Sequence, residues 1–248
     1  TLMRSSAASD VYKRQVLGVL KALMFPISQK RIQQNQTNNL SELKKHTFFM
    51  GNTFIENQRE WKNVKFGRAD MDKAGCEIIA TYNAKLALGE TTAETDMVEL
   101  ISTYENRGAV LLGNWGTAPM AIYDYFVSQR YETAMEMDFR KETIHAMKEK
   151  YETFILSFFN DENRVSEGIH TINISKNGRT YSNHNVYKRN MDGYISDDGH
   201  ADLWDAVLHV NVPKKSKTGE CVIVHAKPIS IIGINRKGKE NTNTPVII

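Results

Sequence analysis

The sequence predicts an α+β fold in which N-terminal helices pack on a C-terminal antiparallel sheet, and three observations lead to it. Between Cys76 and about residue 150, apolar residues recur at helical spacing. From Thr153 onward the apolar positions gather in short runs rich in β-branched and aromatic residues. Asn177-Gly178 falls between two of those runs, and this dipeptide is the strongest short-range signal for a two-residue hairpin turn. Helices first and strands later is the order of segregated layers, because a parallel sheet would need the two to alternate.

Not all of the chain bears on that fold. Ser5 to Gln15 reads Ser-Ser-Ala-Ala-Ser-Asp-Val-Tyr-Lys-Arg-Gln, the in-frame translation of a transposase-type sequencing adapter, and Thr1 to Arg4 fits the index stretch before it. Residues 1–15 are therefore expected to carry no fold information, and the natural N-terminus, with any signal peptide or anchor, to be cut away. The other 233 of the 248 residues suit one large domain with an arm. Hydrophobic residues at 41% and charged residues at 25% suffice for a core. Three cations and one anion of the +3 balance lie in residues 1–15, which leaves about +1 and no global argument for a nucleic-acid partner. Two cysteines, Cys76 and Cys221, make no disulfide framework.

The elements follow in order. Residues 16–60 form an expected arm. Its apolar start, Val16 to Ile27, is interrupted by Lys21 and Pro26 and is too short to span a bilayer; it is either the stub of something longer, through which a membrane contact would run, or an amphipathic helix. The main domain is placed at 61–235 and a polar tail at 236–248. Cys76 to Leu88 is apolar or small outside Glu77, Thr81, Asn83 and Lys85, which predicts a helix buried on most of its circumference, stopped by Gly89. Met97, Leu100, Ile101 and Tyr104 mark a second helix closed by Gly108. Gly113 to Pro119 is read as a turn in which Thr117 caps a helix running to about Arg130. A short exposed helix is expected over 140–150, a buried strand over Thr153 to Phe159, and a small helix around Leu203 to Leu208. The run Cys221 to Ile234, broken at Pro228, is expected to be an edge strand or a bulged one.

The hairpin serves as a ruler. With Asn177 and Gly178 at the centre of the turn, Ile174 faces Tyr181 and His170 faces Asn185, which brings an imidazole and a carboxamide within hydrogen-bond reach. His170 shares its face with Ile172 and Ile174, so that face is taken as the core side. His184 falls opposite Thr171, on the face with Asn173, Ser175 and Thr180, which is read as solvated. A His170–Asn185 pair is either a structural hydrogen bond or half of a catalytic site.

Cys76 tips that choice. It follows Gly75 at the start of the buried helix, where free amides and the helix dipole favour anionic sulfur. A thiolate paired with an imidazole that an amide orients is the arrangement of an activated acyl-transfer nucleophile. The bland alternative is a small buried hydrophobe.

Gly75-Cys76 opening an apolar helix, Gly116-Thr117-Ala118-Pro119 opening a later one, His170 at a strand start and Asn185 at the end of the next resemble papain-like cysteine peptidases. The likeness is to the double-glycine leader peptidases in particular and covers about Trp61 to Asn235. It implies a papain-like fold, no cofactor, a peptide or protein substrate, and a thioester acyl-enzyme. Cys76 would be the nucleophile, His170 the general base and then acid, and Asn185 the orienter. Two departures matter. The family's oxyanion glutamine is expected about six residues before the cysteine, where Asp70 stands, and an ionised Asp donates no hydrogen bond. Losing one such donor costs about 10²–10³ in turnover, unless Asn63 or the amides at Gly75-Cys76 substitute. Glu77 stands where the family favours a small residue. The alternative reading is therefore a weak or inactive papain-fold module that binds a peptide or protein, and transfer of an acyl group to an amine is a third. Trp115 is placed at the cleft wall. Asp197, Asp198, His200, Asp202 and His209 lack a metal-ligand spacing and are read as capping the helix at Leu203.

Overall fold

A computed structural model of the chain describes residues 15, 18–19, 23–45, 53–90, 94–108, 110–113, 116–164, 168–191, 193–215 and 220–236. The readings made for residues 1–14, Trp115 and 237–248 lie outside them. Helix α1 (Gln29–Leu43) starts at Ser28, whose hydroxyl accepts from the Arg31 amide at 3.4 Å. Four further helices follow in the first half: α2 (Met71–Ala74), α3 (Cys76–Ala87), α4 (Glu94–Asn106) and α5 (Pro119–Ser128). The second half adds α6 (Lys141–Lys150) and α7 (Leu203–Leu208).

Short strands β1 (Met24–Phe25) and β4 (Val110–Leu111) pair with each other, as do β2 (Lys65–Phe66) and β3 (Ala69–Asp70). The main sheet contains β5 (Thr133–Glu136), β6 (Thr153–Phe159), β7 (Ile169–Asn177), β8 (Thr180–Asn190), β9 (Gly193–His200) and β12 (Lys227–Ile234). Its six strands run in the order β5-β12-β6-β7-β8-β9, and every neighbouring pair is antiparallel. A separate hairpin joins β10 (Asn211–Lys215) to β11 (Cys221–His225). The α+β class expected from the sequence is the observed one.

Both faces of the sheet are covered. On one, Ile155, Ile232 and Ile234 share a core with Ile78 and Ile79 of α3 and with Ile122 and Phe126 of α5. On the other, Phe154, Leu156, Phe158, Ile172, Ile174 and Ile231 pack under Ile144 and Met147 of α6 and Leu203 and Val207 of α7. All seven residues of β6 are buried, as a strand between two layers requires.

Four expectations are corrected. Asn177 pairs with Thr180, so Gly178 and Arg179 are the central turn residues; the ladder runs to Asn173 opposite His184, and the His170 ring stacks on Tyr187, two places beyond the expected Asn185. The N-cap of α5 is Ala118, one residue past Thr117, with Pro119 at the first helical position. The run Cys221–Ile234 is two strands, and β12 lies inside the sheet between β5 and β6, with the expected irregularity between Pro228 and Ser230. Helix α1 is docked: Ile32 and Leu43 join the core, and Asn35 bonds the Gly67 carbonyl at 2.9 Å and the Glu105 carboxyl at 2.6 Å.

Candidate functional site around Cys76

Helix α3 lays its first turn across β7. Cys76 is its first residue, with Gly75 as N-cap, and the residue is 7% exposed. Its neighbour on the strand is Thr171, whose backbone amide favours the thiolate. That pull loses. Burial raises the thiol well above its usual value, and the charge and hydrogen bond of the adjacent Glu77 raise it further. Glu77 is itself pushed up to about 7 by burial, against its own amide, the Cys76 side chain and the Thr117 amide. The turn before α5 makes room for this carboxyl. Gly116 has φ +85°, and a Cβ there would come within 2.8 Å of Glu77 Oε2.

His170 is on the other face. It pairs directly with Phe158, and its ring meets Phe158 edge-on at 5.7 Å and stacks on Tyr187 at 4.8 Å. Nε2 donates to the backbone carbonyl of Asn185 at 2.7 Å; a carbonyl only accepts, so the proton sits on Nε2. Burial lowers the imidazole to about 4, with the Asn185 carbonyl opposing. Among the described residues no hydrogen bond joins Cys76 to His170. Sequence alternation placed His170 correctly with Ile172 and Ile174. What it misplaced is α3, which covers the face of Thr171, Asn173, Ser175 and His184.

Asn185 lies at φ +65° in a stretch where the β8–β9 ladder shifts register, so its carboxamide leaves the ladder. Asn185 Oδ1 accepts from the Gln58 amide at 3.2 Å, and Nδ2 reaches Gln58 Oε1 at 3.5 Å. Gln58 Nε2 in turn donates to the carbonyls of Met71 at 3.0 Å and Asp72 at 3.3 Å, just ahead of Cys76. Sequence reasoning missed Gln58. Its only signal is a glutamine close to a tryptophan, Trp61, that becomes fully buried.

The remaining candidates lie apart. Asp70 forms an ion pair with Lys65. Asn63 is exposed at φ +77°, and its carbonyl accepts from Asn38 at 2.8 Å. Gly75 leaves no room for a side chain, since a Cβ would meet the Met71 carbonyl at 2.6 Å. The acidic cluster is divided among lysine and histidine side chains: Asp197 holds Lys188 at 2.5 Å and His200 at 3.3 Å, and Asp202, at the N-cap position of α7, reaches His145 at 3.1 Å and Lys148 at 3.4 Å. No group of three metal-ligating side chains occurs among the described residues. No described helix is long and apolar enough to cross a membrane. No family model matches the chain, and no curated protein matches it.

Proposed function

We propose that this chain is a papain-like domain that holds a peptide or protein partner without cleaving it at Cys76. The scaffold reading rests on a cysteine-tipped helix laid across a central strand of an antiparallel sheet, with His170 and Asn185 on the hairpin that this strand opens. The non-catalytic reading rests on one observation: the sulfur is partnered by a carboxyl and the imidazole by a carbonyl. A thiolate–imidazolium pair requires the thiol to give up its proton before the imidazole does. Here burial moves the two in opposite directions, the thiol upward and the imidazole down to about 4, so the proton stays on sulfur.

Iodoacetamide alkylation of the folded protein tests this reading. Cys76 is expected to react at least about tenfold more slowly at pH 7 than a free cysteine, whose pKa is about 8.5. A peptide library should be retained uncleaved, equally by the wild type and by Cys76→Ala. Fast alkylation with an apparent pKa below that of free cysteine, with peptide cleavage that Cys76→Ala abolishes, would restore the hydrolase expected from the resemblance.

A further inference from the structure

On the sheet face beneath α3, one cluster joins a hydroxyl, an imidazole and a carboxylate from three separate segments. Ser175 Oγ lies 2.7 Å from His184 Nε2, and His184 Nδ1 lies 2.6 Å from Glu56 Oε1. The second carboxylate oxygen accepts the Asn185 amide at 2.9 Å. Phe54 stacks on the imidazole at 3.8 Å with the ring planes 9° apart. Ser175 and His184 are buried, and Glu56 is half-buried.

In the tautomer that donates Nδ1–H to the Glu56 carboxyl, Nε2 faces the Ser175 hydroxyl as an acceptor. This is a general base aimed at a hydroxyl and oriented by an acid. A serine in need only of a partner has Ser182 directly across the ladder. Instead the imidazole is held at both nitrogens and on one face, and the carboxylate is fixed by a backbone amide. Such multiple support is what keeps a base aligned.

We propose that Ser175 is an acylatable hydroxyl, activated by His184 and positioned through Glu56, with small uncharged esters as its substrate class. Ser175 is the last buried residue of β7, followed by the exposed Lys176 and Asn177, so the hairpin end is the side from which a short acyl group would approach. Ser175 Oγ adds to the ester carbonyl carbon while its proton passes to His184 Nε2. The tetrahedral adduct expels the alcohol, which takes that proton, and an acyl-Ser175 remains. Water, deprotonated by the same nitrogen, then releases the carboxylic acid and restores the hydroxyl.

The test is labelling of the full chain with a small alkyl fluorophosphonate, mapped by peptide mass spectrometry. The folded protein is expected to carry the adduct at Ser175. Unfolding in urea should abolish it, and Glu56→Gln should slow it by about 100-fold, the scale of a general-base contribution. His184→Gln should stop it. If His184→Gln does not fold, the near-isosteric Glu56→Gln carries the test alone. No adduct at Ser175 in protein that melts as a folded domain, or an unchanged rate in Glu56→Gln, overturns the proposal. Neither result bears on Cys76, so the two readings fail independently.

Discussion

At Cys76 two residue-scale forces oppose each other, and magnitudes decide between them. A helix N-terminus stabilises a nearby anion by about 0.3–1 kcal/mol, up to about 2 in partly buried geometry. Taking an anion out of water without a cation costs several kcal/mol. The sequence carries the first effect directly and leaves the second as an alternative, because burial at a helix tip depends on what lies over it. Glu77 was legible as a departure, and the structure gives it a role as the thiol's partner. Glu77→Gln removes a charge next to the sulfur, so Cys76 alkylation at pH 8 should accelerate severalfold, read by timed mass spectrometry. An unchanged rate would remove Glu77 from the account. His170 was legible in its face and in its nearness to Asn185, but not in which atom of Asn185 it meets. That depends on a positive φ at an asparagine, which the sequence permits without demanding.

Among the elements, the strands and helices were readable because their periods differ, and the hairpin was readable from Asn177-Gly178. The turn slipped by one residue, so each facing partner moved by two, which preserved every face while changing every neighbour. The larger misreading was that a polar face is a wet face. Thr171, Asn173, Ser175 and His184 lie under α3 because each finds a partner there: Thr171 with Ser157 at 2.9 Å, Asn173 with Thr153 at 2.9 Å, and Ser175 with His184 at 2.7 Å. Their polarity alone could not reveal that pairing. On the opposite face, Gly233 of β12 admits the Tyr151 ring, which would stand 2.5 Å from a Cβ at that position, with Met147 at 3.0 Å. Gly233→Ala should therefore destabilise the domain by about 1–3 kcal/mol, the range for overpacked cores. Chemical denaturation checks this, and a loss below about 0.5 kcal/mol, ordinary for a surface change, would show that α6 yields freely.

For the whole molecule, three buried titratable groups set how stability varies with pH. His170, held down to about 4 against an ordinary 6.5, takes up its proton in the unfolded chain first, so its contribution grows as pH rises from about 4 to 6.5. Glu77 and Glu105 are both raised from 4.5 to about 7, chiefly by burial, and keep their protons longer when folded. Their contributions shrink as pH rises from about 4.5 to 7. Two groups oppose one, so unfolding midpoints in urea should fall between about pH 5 and 7.5. Glu105→Gln should flatten that slope, and a midpoint that rises across the same interval would contradict the assignment. Glu105 also ties α1 to the β2–β3 turn through Asn35 and the Gly67 amide, at 2.6 and 2.7 Å. That tie explains why a segment read as an arm packs as part of the body.

The imidazole of His170 and the sulfur of Cys76 occupy opposite faces of one sheet, and on the proposed reading they exchange no proton. Nitrogen-15 NMR of the His170 ring during a pH titration tests it most directly. A neutral ring protonated at Nε2 is expected from neutral pH down to about 4, unchanged in Cys76→Ala. A His170 imidazolium at pH 7 that disappears when Cys76 is replaced would contradict it.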